Sequence, residues 1–110
     1  MEVIIDLGEI ITFSKINTTF FQYYLSWIVL PTSVSYFVSD DGENFTTIET
    51  IHNEIDLMQE GKFKHTFSFE EENTKAKYLK VVAKTVGELP KEHPAAGSDA
   101  WIFVDEIIIE

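Results

Sequence analysis

Apolar residues recur at every second position along most of this chain, and no window of about eleven residues shows a helical stripe. The pattern predicts an all-β domain. In "SVSYFVS" (33 to 39), Val34, Tyr36 and Val38 alternate with Ser33, Ser35 and Ser39, as in a strand with one buried face. "DDGEN" (40 to 44) then supplies an Asp-Gly turn and predicts a hairpin to "FTTIETIH" (45 to 52), which makes Asp40 and Asp41 turn formers rather than metal ligands. "SKINTTFF" (14 to 21) places Ile16, Thr18 and Phe20 on one face, and "KFKHTFSF" (62 to 69) sets Phe63, His65 and Phe67 against Lys62, Lys64, Thr66 and Ser68. "YLKVVAKTV" (78 to 86) turns Leu79, Val81 and Ala83 inward and Lys80 and Lys84 outward.

The remaining segments read as punctuation. A first strand "EVIID" ends at a turn around Gly8, and "EEENTKAK" (70 to 77) reads as a charged connection. Strands of about five to nine residues between regular turns predict an antiparallel β-sandwich of about seven to eight strands. Its expected core is Val34, Val38, Phe67, Leu79, Val81 and Phe103. Two stretches, "QYYLSWIVLP" (22 to 31) and "GELPKEHPAAGSD" (87 to 99), are long for loops in a compact domain, and such loops carry function more often than not.

The last strand, in "AWIFVDEIIIE", holds adjacent carboxylates at Asp105 and Glu106. Neighbours on a regular strand face opposite ways, so this pair cannot flank one scissile bond as acid and base. One of them must point inward unless a bulge intervenes, and a buried carboxylate needs backbone N–H donors or a cation.

Composition narrows the function. At 110 residues the chain is a single domain, 1–110, able to bury a core without staples. It has no Cys, which excludes thiolate metal sites, disulfides and cysteine nucleophiles. The net charge is −11 and no Arg is present, so phosphate backbones and anionic membrane surfaces are repelled and a neutral ligand fits better. "SWIVLP" is far too short to span a bilayer, and the N-terminus lacks a basic signal-peptide start. The chain is therefore expected to be soluble, any export signal lying outside it. A nucleophile elbow and a phosphate loop are absent, and His52, His65 and His93 are too scattered in sequence for a zinc motif.

In order, "IDLGE" (5 to 9), "SWIVLPTSVSYFVSDDGENF" (26 to 45), "KYLKVVAK" (77 to 84) and "HPAAGSDAWIFVDEI" (93 to 107) resemble the discoidin, or coagulation factor five/eight type C, domain. The variant they resemble stands at the C-terminus of bacterial chitobiases and β-N-acetylhexosaminidases. The resemblance implies a galactose-binding-like jelly-roll sandwich without the family's N-terminal strands, hence an exposed edge that a second copy would cover. It also implies a non-catalytic carbohydrate-binding module of a secreted, periplasmic or cell-surface glycoside hydrolase, with a glycan and the neighbouring catalytic domain as partners. The alternative is a scaffolding module that orients that neighbour.

Carried over position by position, the ligand site implied by the resemblance comprises Gln22, Tyr24 and Trp27 from one loop and His93, Ser98, Asp99 and Trp101 from the other. A neutral sugar is held by stacking on an aromatic face with a few aimed polar groups. Trp27 or Trp101 would supply the face, with Gln22, His93 and Asp99 as a polar rim. Each indole has the competing reading of a plug at the end of the sandwich, and His93 that of a tie within its own loop. No cofactor is expected, although relatives that keep a structural calcium ligate it with a Glu at the position of Glu106, the other ligands coming from the absent N-terminal part. That calcium site is incomplete here, and the competing reading is a carboxylate that accepts backbone N–H bonds.

Overall fold

The computed structural model describes residues 1–55, 59, 61–89 and 97–110. Among these residues five strands form one antiparallel sheet: β1 (Glu2–Tyr23), β2 (Ser33–Ser39), β3 (Thr46–His52), β4 (Lys62–Lys84) and β5 (Phe103–Ile109), in the spatial order β3-β2-β4-β1-β5. The strand count is lower than the pattern predicts because two strands are unusually long. "EVIID" and "SKINTTFF" belong to the single strand β1, while "EEENTKAK" continues the pairing of β4.

These long strands cannot be straight. At ~3.3 Å per residue a straight strand the length of β4 would extend ~76 Å, whereas the longest dimension of the molecule is 46 Å. The bending is written in the register. Between the pairs Asp6–Tyr78 and Ile11–Ala76, β1 advances five residues while β4 advances two, and between Phe13–Thr74 and Lys15–Glu70, β1 advances two while β4 advances four. Such bulges kink a strand and tighten its twist. The left-handed residues Gly8 and Asn73 sit in them, so the expected turn at Gly8 is a bulge inside β1. The Gly8 N–H is held there by Asp6 Oδ1 at 2.8 Å.

Folded at these bulges, the ribbon forms both layers of a sandwich. Residues 2–13 of β1 and 74–84 of β4 join β2 and β3, and residues 15–23 and 62–70 join β5. Tyr36 shows the layers meeting. It pairs with Val81, and Thr18 pairs with Phe67, 14 residues away on β4; nevertheless the Tyr36 hydroxyl lies 2.7 Å from Thr18 Oγ1 and donates to the Phe67 carbonyl at 3.2 Å. Burial pushes the Tyr36 phenol pKa up, and the Thr18 bond offsets part of that shift. Phe20 meets Phe67 edge-on with ring centroids 5.7 Å apart, and Tyr36 meets Phe69 at 6.1 Å.

Val34, Phe67, Leu79 and Val81 are buried as expected, and Val38 packs half-buried against them. Phe103 is the exception, 52% exposed. Phe20 pairs with Val104 and Thr19 with Glu106, which leaves Asp105 as an extra residue in β5. This bulge turns Val104 toward the core and Phe103 outward, reversing the strict alternation expected there.

Candidate functional site

β1 runs out at Tyr23 into a 3-10 turn, Tyr24–Ser26, which Trp27 closes in a left-handed conformation with φ 66°. The Trp27 N–H donates to the Tyr24 carbonyl at 3.2 Å, and the chain doubles back so that Tyr23 and Ile28 exchange backbone bonds of 2.9 and 3.2 Å. Trp101 joins from the other end of the sequence: its N–H donates to the Trp27 carbonyl at 2.8 Å, and its carbonyl accepts from Val29 N–H at 3.0 Å. Two predicted site loops are thus stitched together by main chain. Their indoles stay in solvent, Trp27 40% and Trp101 65% exposed, beside Leu25 at 65%. Backbone bonds leave the side chains free, so neither indole serves as a buried plug.

The second loop is braced in the same manner. Leu89 N–H donates to the Ser98 carbonyl and Ala100 N–H to the Gly87 carbonyl, both at 2.8 Å, and Glu88 bridges to Asp99. Ser98 is half-buried and Asp99 exposed. His93 lies outside the described residues. Asp99, Trp101 and Phe103 are all exposed while Ala100 and Ile102 between them are half-covered, so the alternation carries one outward line into β5.

Gln22 and Tyr24 have a different place from the one predicted. Both are buried beneath the loop, and Gln22 cannot form an exposed polar rim. On β1 it follows Thr18 and Phe20 on the inward face, and both ends of its amide are engaged within the protein. Oε1 accepts from Leu30 N–H and Nε2 donates to the Gln59 carbonyl, each at 3.0 Å.

Sequence reasoning misses three contributors. Phe21 and Phe103 pair across β1 and β5 with rings edge-on at 6.0 Å, extending the aromatic surface below Trp101. Strict alternation hides Phe103, and only knowledge of the Asp105 bulge would reveal it. Leu25 is not singled out by the pattern, because "QYYLSWIVLP" is mostly apolar and does not mark which residues face out.

The bulge also resolves the carboxylate pair, since Asp105 and Glu106 are both exposed. Asp105 Oδ2 lies 3.1 Å from Lys64 Nζ, and Glu106 stands opposite Thr19 on the outer face. Neither requires a cation to offset burial. Among the described residues no three His, Cys, Asp or Glu side chains are grouped to hold a metal. His52, Glu54 and His65 line one cleft of about 340 Å³ without forming such a group.

The opposite end of β2 is chemically closed. Asp41 Oδ1 accepts from Ser39 Oγ and from the N–H groups of Glu43 and Asn44, all at 2.9 Å, and Oδ2 accepts from Asn44 Nδ2 at 2.9 Å. Hydrogen bonds from the Asn44 backbone and side chain, then from Glu43 and Ser39, hold the Asp41 carboxyl far below the usual carboxylate range.

Comparison with known proteins bears on the family and the fold. The family model described as F5/8 type C domain matches residues 1–105. No curated protein sequence matches the chain. Among solved structures, the C-terminal domain of a chitobiase from Bacteroides fragilis is similar, with a TM-score of 0.53 and 19% sequence identity. That alignment covers 99% of this chain and 61% of the chitobiase-domain chain, and at this identity the likeness is one of fold.

Proposed function

The chain belongs to the F5/8 type C domain family, and on that footing we propose that it is a non-catalytic carbohydrate-binding accessory module. The finer reading is a module of a chitobiase- or β-hexosaminidase-like glycoside hydrolase acting outside the cytoplasm, with the neighbouring catalytic domain as its intramolecular partner. One observation carries the proposal: Trp27 and Trp101, far apart in sequence, are joined through their main chains while their indoles stay in solvent. Such faces stack on the C–H surfaces of a pyranose, and Asp99, on the same outward line as Trp101, supplies a polar group beside them. The exposed Asp105–Glu106 pair, with Asp105 tied to Lys64, offers no acid and base flanking a bond.

A shallow site of this kind predicts weak affinity, a dissociation constant nearer 1 mM than 1 μM, or about 4–6 kcal/mol. Titration with chitooligosaccharides, monitored by NMR, is expected to perturb the Trp27, Trp101 and Asp99 resonances. Trp101→Ala and Trp27→Ala are each expected to weaken binding about tenfold or more while the fold survives. Chromogenic N-acetylglucosaminide should release nothing. Undiminished binding in both variants, or perturbation centred on residues 40 to 44, would replace the carbohydrate reading with the scaffolding one.

A further inference from the structure

We infer that Gln22 is the positioning residue of the indole platform: its buried amide holds the loop that presents Trp27 and, through Trp27, Trp101. The functional half of this inference rests on the carbohydrate reading, and the structural half does not.

Trp27 occupies a backbone region that a bulky L-residue seldom adopts, and such a conformation persists only where surrounding bonds over-determine it. The loop between Tyr23 and Pro31 therefore needs anchoring at both ends. Its near end is anchored by the exchange between Tyr23 and Ile28, and its far end by Leu30, whose buried N–H is met by Gln22 Oε1. Pro31 follows and has no N–H to offer. Gln22 thus closes the loop from beneath, across eight residues of chain, while its Nε2 ties in a third segment at Gln59.

The residue type is specific to the task. Gln22 is 0% exposed among apolar neighbours, where an unbonded amide would be costly. An amide supplies the acceptor that Leu30 needs and the donor that the Gln59 carbonyl needs on one rigid plane. Methionine would match its length and supply neither bond of comparable strength; glutamate would keep the acceptor and lose the donor. Freed from Gln22, Leu30 would no longer hold the loop, Trp27 would relax out of the left-handed region, and its carbonyl would leave the Trp101 N–H.

The test compares wild type, Gln22→Met and Gln22→Glu with Ile16→Val, a control that loosens the core on the same strand away from the loop. Amide exchange is followed at Leu30, Trp101 and Phe20, and chitotriose affinity is measured by NMR titration. In Gln22→Met, exchange at Leu30 and Trp101 is expected to accelerate roughly five- to thirtyfold relative to Phe20, with affinity falling by a comparable factor. Gln22→Glu sets a carboxylate oxygen against the Gln59 carbonyl in a fully buried site and should also accelerate Leu30 exchange relative to Phe20, while Ile16→Val should leave the Leu30-to-Phe20 ratio and the affinity unchanged. An unaltered ratio in Gln22→Met overturns the inference. Should that variant not fold, wild-type Leu30 exchanging as fast as an unprotected loop amide overturns it instead. If wild type binds no chitotriose, the carbohydrate reading falls while exchange still decides the role of Gln22. If wild type and Gln22→Met bind equally, the positioning role falls and the carbohydrate reading stands.

Discussion

Two corners of this sandwich, at opposite ends of β2, pass through the same left-handed backbone region with opposite kinds of residue. After β2 the position belongs to Gly42, at φ 79°, and before it to Trp27, at φ 66°. Glycine meets the requirement at no steric cost, and every oxygen of the neighbouring Asp41 carboxylate is spent on its own turn. At the Trp27 corner the strain is retained and main chain does the stitching, leaving two indoles exposed. The difference separates a corner built to turn the chain from one built to present side chains. Strain is tolerated only at the second.

The largest expected effect lies between the two corners. Tyr36→Phe removes the hydroxyl that joins the layers and strands Thr18 Oγ1 in the core, at a cost of about 2 kcal/mol in urea unfolding. Because burial raises the folded-state pKa of this phenol, its stabilisation is complete below pH ~10 and lost as pH rises through the raised value. The variant should lack that alkaline loss, and chitotriose affinity should not change. Gly42→Ala comes next. An added Cβ would stand 3.2 Å from the Tyr78 ring at a positive φ, and the expected cost is about 1–2 kcal/mol with no effect on binding.

A sharper contrast comes from Trp27 itself. Trp27→Gly should be more stable than Trp27→Ala by about 1 kcal/mol, since glycine relieves the left-handed strain, yet both should lose affinity alike. Equal stability of the two would remove the strain argument. The smallest effect is the acid response of Asp41. Its depressed pKa means that its contribution is present above pH ~3.9 and fades as pH falls toward the lowered value. Acid titration of Asp41→Ala against wild type should show that slope missing, with the indole resonances unmoved.

Much of this was legible beforehand where a local rule acts alone. Val34, Tyr36 and Val38 announce β2, Asp41 and Gly42 announce the hairpin, and Trp27 and Trp101 stand out as aromatic residues in the first long loop and just after the second. What stayed hidden depends on register. The bulge at Asp105 reverses Phe103 and Val104, and the charged run 70 to 77 continues a strand because its partner on β1 is already in place. Gln22 departs from expectation for a related reason: amides are mostly exposed, and only the meeting of Leu30 and Gln59 around it shows why this one is buried.

The shared β1–β4 ribbon also sets how the molecule comes into being. Its rungs run from Tyr23–Lys62 to Glu2–Val82, so even the nearest partners lie 39 residues apart in sequence. Topology of this kind folds slowly, in roughly milliseconds to seconds, because loop closure precedes any reward. Both layers share that one ladder, and the layer holding the Tyr23–Lys62 end closes the shorter loop. During synthesis the apolar side chains of Phe13, Ile16 and Phe20 along β1 must wait for β4 to emerge before they are covered.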